Sequence, residues 1–356
     1  MAVIAIQNKL TEVDLDGMLL TRLLDIRWAT GFTGSNALLV VLPHEAHFIT
    51  DKRYATQAHQ QVSGAVVHVP GYALVNHVDE AKLLAGCQRV GFQSDVMTAA
   101  ALHQLHERFP DVEWVPVEGF LTHEVAQKTP EQVGHIRSAQ AITERVFDEV
   151  TALIRPGLTE REVAAEIVYR HLKYGAERQA FEPIVASGPN GALPHARPTD
   201  RVLQAGELIV LDFGCVVNGY ASDMTRTVAL GDVSAEAQEV YHTVLEAQEA
   251  AIAAALPGMT SKALDAVARD RIEAAGYGEA FGHSLGHGVG LDVHEWPPVS
   301  FRSENELPAD CVVTIEPGIY LEGQFGVRIE DMIWLRAPEA VNLTKTPKAL
   351  LNLPVS

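Results

Sequence analysis

The chain has 356 residues and carries 46 acidic against 27 basic side chains, a formal net charge of −19. That length exceeds one ordinary hydrophobic core and indicates two domains, and 47% hydrophobic with 21% charged residues describes a globular protein. The acidic balance excludes the basic face that nucleic acid needs, and without a run of 18 apolar residues no transmembrane helix or membrane partner is expected.

The first residues, MAVIAIQNKLTEVD, have no basic stretch ahead of an apolar one and no cleavage signal, so a cytoplasmic location is expected. Residues 1–124 alternate strand and helix patterns. Ala37–Leu42 and Ala46–Thr50 flank Pro43 and His44 as a hairpin, Tyr54–Val62 has helical spacing, Ala65–Val69 is a strand and Val78–Leu84 a helix. Val90–Phe92, Ala99–Phe109 and Val112–Val117 continue the alternation. No catalytic cluster stands out in this segment. Lys128, Thr129 and Pro130 then interrupt the apolar periodicity within Val125–Glu131, which is read as a linker ahead of a second domain at 130–356. Glu131–Ile154 has apolar residues at helical spacing and stops at Pro156 and Gly157. Cys87, Cys215 and Cys311 are widely spaced in apolar surroundings and read as buried free thiols.

The second segment contains a weak repeat. Pro156-Gly157-Leu158-Thr159, set between two helical stretches, recurs as Pro257-Gly258-Met259-Thr260, 101 positions on. His195 is matched by His294 at an offset of 99, Asp212 by Glu316 at 104 and Asp223 by Glu330 at 107. Four matches near one offset imply two copies of a helix–helix–strand unit, each offering one histidine and two carboxylates, with a site at the seam.

Asp212 closes the apolar run Leu208–Leu211, Asp223 lies in ASDMTRT, His287 in GHSLGHGVG, Glu316 in VVTIEPG and Glu330 in GVRIED. A carboxylate at the end of an apolar strand is costly to bury unless it is paired or metal-bound. Four carboxylates in one pocket repel each other, which two divalent cations relieve. Oxygen donors with one imidazole suit Mn²⁺, Co²⁺, Fe²⁺ or Zn²⁺, and a pair of such ions sharing a water is the arrangement of two-metal hydrolases. Strand alternation puts Val210 with Asp212, Thr314 with Glu316 and, if Gly326–Met332 is one strand, Arg328 with Glu330. His195, His283 and His294 sit beside glycine- or proline-marked turns, where they can donate to a substrate carbonyl or oxyanion. GHGVG lacks a nucleotide-binding pattern, and Ser222 and Ser284 have no nucleophile-elbow context.

DFGCVVNGYASDMTRT, FGHSLGHGVGLDVHEWP, TIEPGIY and GVRIED resemble the Xaa-Pro peptidases, prolidase and aminopeptidase P, and RWATGFTGSNALLVV and FITDKRYATQA resemble that family's N-terminal domain. The resemblance implies an α/β protein, with a creatinase-like N-terminal domain followed by a pseudo-symmetric pita-bread catalytic domain. It implies that Asp212 and Asp223 bind one metal, that Asp223 and Glu330 bridge, and that His287 and Glu316 complete a second site. Glu316 would also shuttle a proton, and His195, His283, His294 and Arg328 would touch the substrate or stabilise the transition state. The implied cofactors are two divalent ions, manganese foremost, with cobalt, zinc or iron as alternatives. The implied substrates are small peptides with proline second, dipeptides ahead of longer peptides. Arg328, placed on the strand face of Glu330, is the leading candidate to hold a dipeptide's carboxylate, with a peptide carbonyl as the alternative. A homodimer is expected through the N-terminal domain. The competing classes, a metal-free hydrolase such as creatinase or a binding protein on the same fold, lose metal ligands that this chain keeps.

Overall fold

A computed structural model describes residues 2–71 and 73–355. The chain divides into two compact units, Met1–Val125 and Ala126–Ser356.

The first unit is built on a six-stranded mixed sheet. Gly17–Leu20 lies between Ala37–Val41, antiparallel, and Arg89–Gln93, parallel. Ala46–Thr50 and then Val66–His68 extend one side, and Glu113–Val117 closes the other. Both faces are covered, which strand alternation dictates. Leu20, Leu39, Val41 and Phe48 pack with Ile6, Leu10 and Ile26 of the helices Ala2–Glu12 and Leu23–Thr30. Leu19, Val40, Ile49 and Val90 pack on the opposite face with Val78 and Leu105. The hairpin and the helix Ala99–Arg108 lie where the sequence pattern puts them. The helix expected over Val78–Leu84 instead spans Leu74–Glu80, and the chain turns over through Lys82, at φ 51°. Val78, Leu83 and Leu84 all face one core, so their spacing cannot distinguish a helix from a turn that follows one. Cys215 and Cys311 are buried free thiols, and Cys87 is only half-buried.

The second unit has two similar halves. Each begins with a long helix, Pro130–Thr151 or Ala235–Ala254, then a turn and a second helix, Glu160–Lys173 or Ser261–Ala274. The turns repeat in detail. The amides of Gly157 and Gly258, both at positive φ, donate to the carbonyls of Leu203 and Leu307. Thr159 and Thr260 each cap the following helix and bridge to Val202 and Glu306. Each half then enters a sheet strand, leaves it for a short hairpin and returns by another strand. In the first half Glu207–Phe213 and Met224–Leu230 pair antiparallel around the Cys215–Val217 and Tyr220–Ala221 hairpin. In the second, Val312–Ile315 and Asp331–Trp334 pair around the Gly318–Leu321 and Phe325–Arg328 hairpin. Gly326–Met332 is therefore not one strand. It breaks at Ile329 and Glu330, where the chain passes from one sheet to another. One core gathers around Val146, Ile167, Ile209 and Leu211 of the first half, and another around Val244, Leu264, Val313 and Ile315 of the second, which also takes in Leu208 and Ala229 of the first. Among the described residues no helix is long and apolar enough to cross a membrane.

Candidate active site

The fourfold carboxylate set follows from this topology. Asp212 and Glu316 stand where the chain leaves a strand for the hairpin, Asp212 as the penultimate residue of its strand and Glu316 just past the end of its own. Asp223 and Glu330 stand where it returns, each one residue ahead of the next strand. His287 is the middle residue of the strand Gly286–Gly288, which pairs with both Glu295–Val299 and Val312–Ile315. Its flanking glycines are steric requirements. A Cβ on Gly286 would lie 2.0 Å from the Thr314 carbonyl oxygen, and one on Gly288 2.5 Å from that of Trp296.

These elements bring the five side chains together. Ligand atoms of Asp223, His287 and Glu330 lie within 4.8 Å of one another. His287 Nε2 is 3.2 Å from Glu316 Oε1 and 3.6 Å from Asp223 Oδ2, while Nδ1 donates to the Gly288 carbonyl at 3.0 Å. That bond turns Nε2 toward the carboxylates. Thr225 Oγ1 donates to Glu330 Oε2 at 2.7 Å, Thr314 Oγ1 to Glu316 Oε1 at 3.1 Å, and Arg328 Nη2 to Asp212 Oδ2 at 2.6 Å. Asp212 Oδ1 is buried without a hydrogen-bond partner.

The electrostatics show what the cluster lacks. Burial, reinforced by neighbouring carboxylates, pushes Asp223 and Glu330 well above the ordinary carboxylate range. Burial also raises Asp212, although Arg328 opposes it. Burial acts on Glu316 in the same sense, but its hydrogen bond to His287 and that ring's charge prevail and bring it to about 2. For His287 burial favours the neutral ring, and the Glu316 contact with the charge of Asp223 outweighs it, giving about 9. Protein groups alone therefore balance only part of the negative charge. Hard oxygen donors, one imidazole and an orphaned carboxylate oxygen fit divalent cations of the Mn²⁺, Co²⁺, Fe²⁺ or Zn²⁺ type.

The cluster lies in a cleft of about 510 Å³, which His195, His283, His294 and Arg328 also line. The His294 ring sits 4.2 Å from that of His287, centroid to centroid. His195 is exposed, on the loop after the short helix Gly188–Ala192. His283 Nδ1 donates to the Ser284 carbonyl at 2.8 Å, leaving Nε2 to accept from the Tyr320 hydroxyl at 3.0 Å. Arg328 departs from the expected free cation. Nε donates to Thr225 Oγ1, Nη1 to the Tyr320 hydroxyl and the Pro194 carbonyl, and Nη2 to Asp212. Its fork is occupied by protein acceptors, so bidentate capture of a substrate carboxylate would break these bonds. Tyr320 was not expected from sequence, although it follows Glu316 by four residues in TIEPGIY. It joins His283 to Arg328, and burial pushes its hydroxyl to about 12. At the cleft mouth Arg197 and Glu182, also unexpected, face each other at 3.6 Å with both side chains exposed.

Comparison with known proteins agrees with this architecture. The model of metallopeptidase family M24 matches residues 134–337, and that of the creatinase/prolidase N-terminal domain matches residues 3–124. The chain is 39% identical to the uncharacterized peptidase YqhT of Bacillus subtilis over 348 residues, 98% of this chain and 99% of the relative. It superposes on an Xaa-Pro dipeptidase from Bacillus anthracis with a TM-score of 0.96 at 37% identity, covering 99% of each chain. An X-Pro aminopeptidase from Thermotoga maritima gives a TM-score of 0.91, also at 37% identity, covering 97% of this chain and 100% of the other.

Proposed function

The chain belongs to metallopeptidase family M24, with a creatinase/prolidase N-terminal domain, and we propose that it is a metal-dependent exopeptidase that hydrolyses the Xaa-Pro bond of dipeptides. The observation that carries this reading is the meeting of Asp212, Asp223, His287, Glu316 and Glu330 in one cleft, with Asp212 Oδ1 buried and unpartnered.

In this reading Asp212 and Asp223 would hold one cation, His287 and Glu316 a second, and Asp223 and Glu330 would serve both. Bound there, two divalent ions would lower the pKa of a water nucleophile and polarise the scissile carbonyl. Thr225, Thr314 and Arg328 fix the carboxylates of Glu330, Glu316 and Asp212. Glu316 takes the proton from the attacking water and passes it to the imino nitrogen of the departing proline. His294 and His195, on the open side of the cleft, donate to the carbonyl oxygen as charge develops on it. His283, Tyr320 and Arg328 form a hydrogen-bonded wall that holds the substrate against the metal-ligating groups. Manganese is the favoured ion, with cobalt, zinc and iron compatible with the same donors. The proposal extends to a cytoplasmic homodimer, and sedimentation at micromolar concentration tests the oligomeric part.

A second reading, aminopeptidase action on longer Xaa-Pro peptides, draws support from the similarity to the Thermotoga maritima X-Pro aminopeptidase, as strong in identity as that to the dipeptidase. The deciding measurement compares kcat/KM for Ala-Pro, Ala-Pro-Ala and Ala-Ala with Mn²⁺. Dipeptidase action predicts Ala-Pro first. Faster cleavage of the tripeptide reverses the subtype, and equal cleavage of Ala-Ala removes the proline requirement.

A further inference from the structure

A buried ion pair lies beside His294, outside the proposed metal-ligating set. Lys128 pairs through Nζ with Glu295 Oε1, and the two side chains are 1% and 9% exposed. Glu295 stands opposite Gly288 in the antiparallel ladder, so it is next to His294 in sequence and across from the neighbour of His287. Its carboxylate is packed against backbone: a Cβ on Gly290 would lie 2.4 Å from Oε2. Lys128 is fixed at its other end as well, because its amide donates to the Asp310 carbonyl at 2.9 Å.

Burying two opposite charges strips both of water, and an apolar pair of similar volume often stabilises a fold as well or better. Stability alone therefore gives this pair no advantage. What it supplies is direction. An ammonium on a carboxylate restrains Glu295, and the turn Gly290–His294 is closed at its other end by the Gly290 amide donating to the Asp292 carbonyl at 2.9 Å. From the end of this turn His294 sets its ring against that of His287, 4.2 Å between centroids.

We propose that Lys128 and Glu295 are positioning residues, whose ion pair fixes the turn before Glu295 and aims the His294 imidazole at the substrate carbonyl. The inference rests on the reading of His294 as a substrate-contacting group. Small displacements of such a group are expensive, about 10²-fold in rate for 1 Å.

The test is a double-mutant cycle on kcat for Ala-Pro with wild type, Lys128→Met, His294→Ala and the double variant, run with manganese analysis. Lys128→Met should lower kcat about 10- to 100-fold, leave KM within about threefold and keep the metal content. In the His294→Ala background the same change should cost less than about threefold. Equal fold-losses in both backgrounds, or loss of metal, would overturn the proposal. Glu295→Gln, which keeps shape and a hydrogen-bond acceptor, serves in place of Lys128→Met should that variant fail to fold. A readout independent of turnover comes from the ¹H–¹⁵N correlations of the histidine rings. The His294 signals should shift and broaden in either variant while those of His47 and His68 stay in place, and unchanged His294 signals overturn the assignment even if Ala-Pro is not the substrate. Wild-type protein that leaves Ala-Pro intact would instead count against the proposed function.

Discussion

Glu330 is held from two directions: Thr225 donates to its carboxylate, and Arg226 Nη1 donates to its backbone carbonyl at 2.6 Å. Arg226 is itself buried against Asp331, so Glu330 has little freedom to follow a displaced cation. Three outcomes follow at this scale. Asp223→Ala and Glu330→Ala should each leave less than a few per cent of wild-type turnover at saturating Mn²⁺, because each would remove an oxygen donor that the proposed site shares between both cations. Thr225→Val removes the hydroxyl that donates to Glu330 and accepts from Arg328 Nε, and should weaken Mn²⁺ about 10- to 100-fold by calorimetry. His294→Ala should lower kcat about 10²- to 10³-fold with the metal content unchanged, whereas loss of a metal equivalent would make His294 a ligand. The residues that form the cluster were legible because buried acid at the end of an apolar strand is chemically conspicuous. The partners of Arg328 were not. Strand parity placed it with Glu330 on the premise of one strand over Gly326–Met332, which breaks at Ile329 and Glu330, and Tyr320, Thr225 and the Pro194 carbonyl reach it only through tertiary packing.

The strand Gly286–Gly288 works because its glycines admit neighbouring backbone. Gly286→Ala would force a methyl group to within 2.0 Å of the Thr314 carbonyl, part of the strand that leads into Glu316. Backbone cannot yield as a flexible side chain does, so the substitution should cost about 1–3 kcal/mol by urea denaturation. It should also lower the metal content by moving His287 relative to Glu316; full metal occupancy with normal stability would show that the close approach is dispensable. At this scale the helix stop before Pro156-Gly157 was readable to within a turn, because turn chemistry is local: the helix expected over Glu131–Ile154 spans Pro130–Thr151. The break at Ile329 and Glu330 was not readable. Nothing in GVRIEDM signals a change of sheet, and the apolar residues on either side stay buried throughout.

Across the whole molecule the five clustered groups belong to one unit, Ala126–Ser356, and come from both of its halves. The repeat in the sequence foretold this for the carboxylates, since Asp212 and Glu316 both leave a strand and Asp223 and Glu330 both precede one, at offsets of 104 and 107. The first unit has its own sheet and two cores, and offered the sequence reading no chemistry because its apolar residues serve packing on both faces. A cation that binds the folded site and not the unfolded chain stabilises by mass action, about 2.7 kcal/mol at a hundredfold excess over Kd. That stabilisation should be local to the unit that supplies the ligands. Amide hydrogen exchange with and without Mn²⁺ measures it strand by strand. Protection should rise in Glu207–Phe213, Met224–Leu230 and Val312–Ile315, which carry or flank Asp212, Asp223 and Glu316. It should not change in Gly17–Leu20 or Ala37–Val41, whose buried residues Met18, Leu19, Leu20, Leu39, Val40 and Val41 pack in the first unit's cores. Equal gains in both units would mean that the metal tightens the whole chain as one cooperative body, and no gain in the three strands would mean that the ion is held elsewhere.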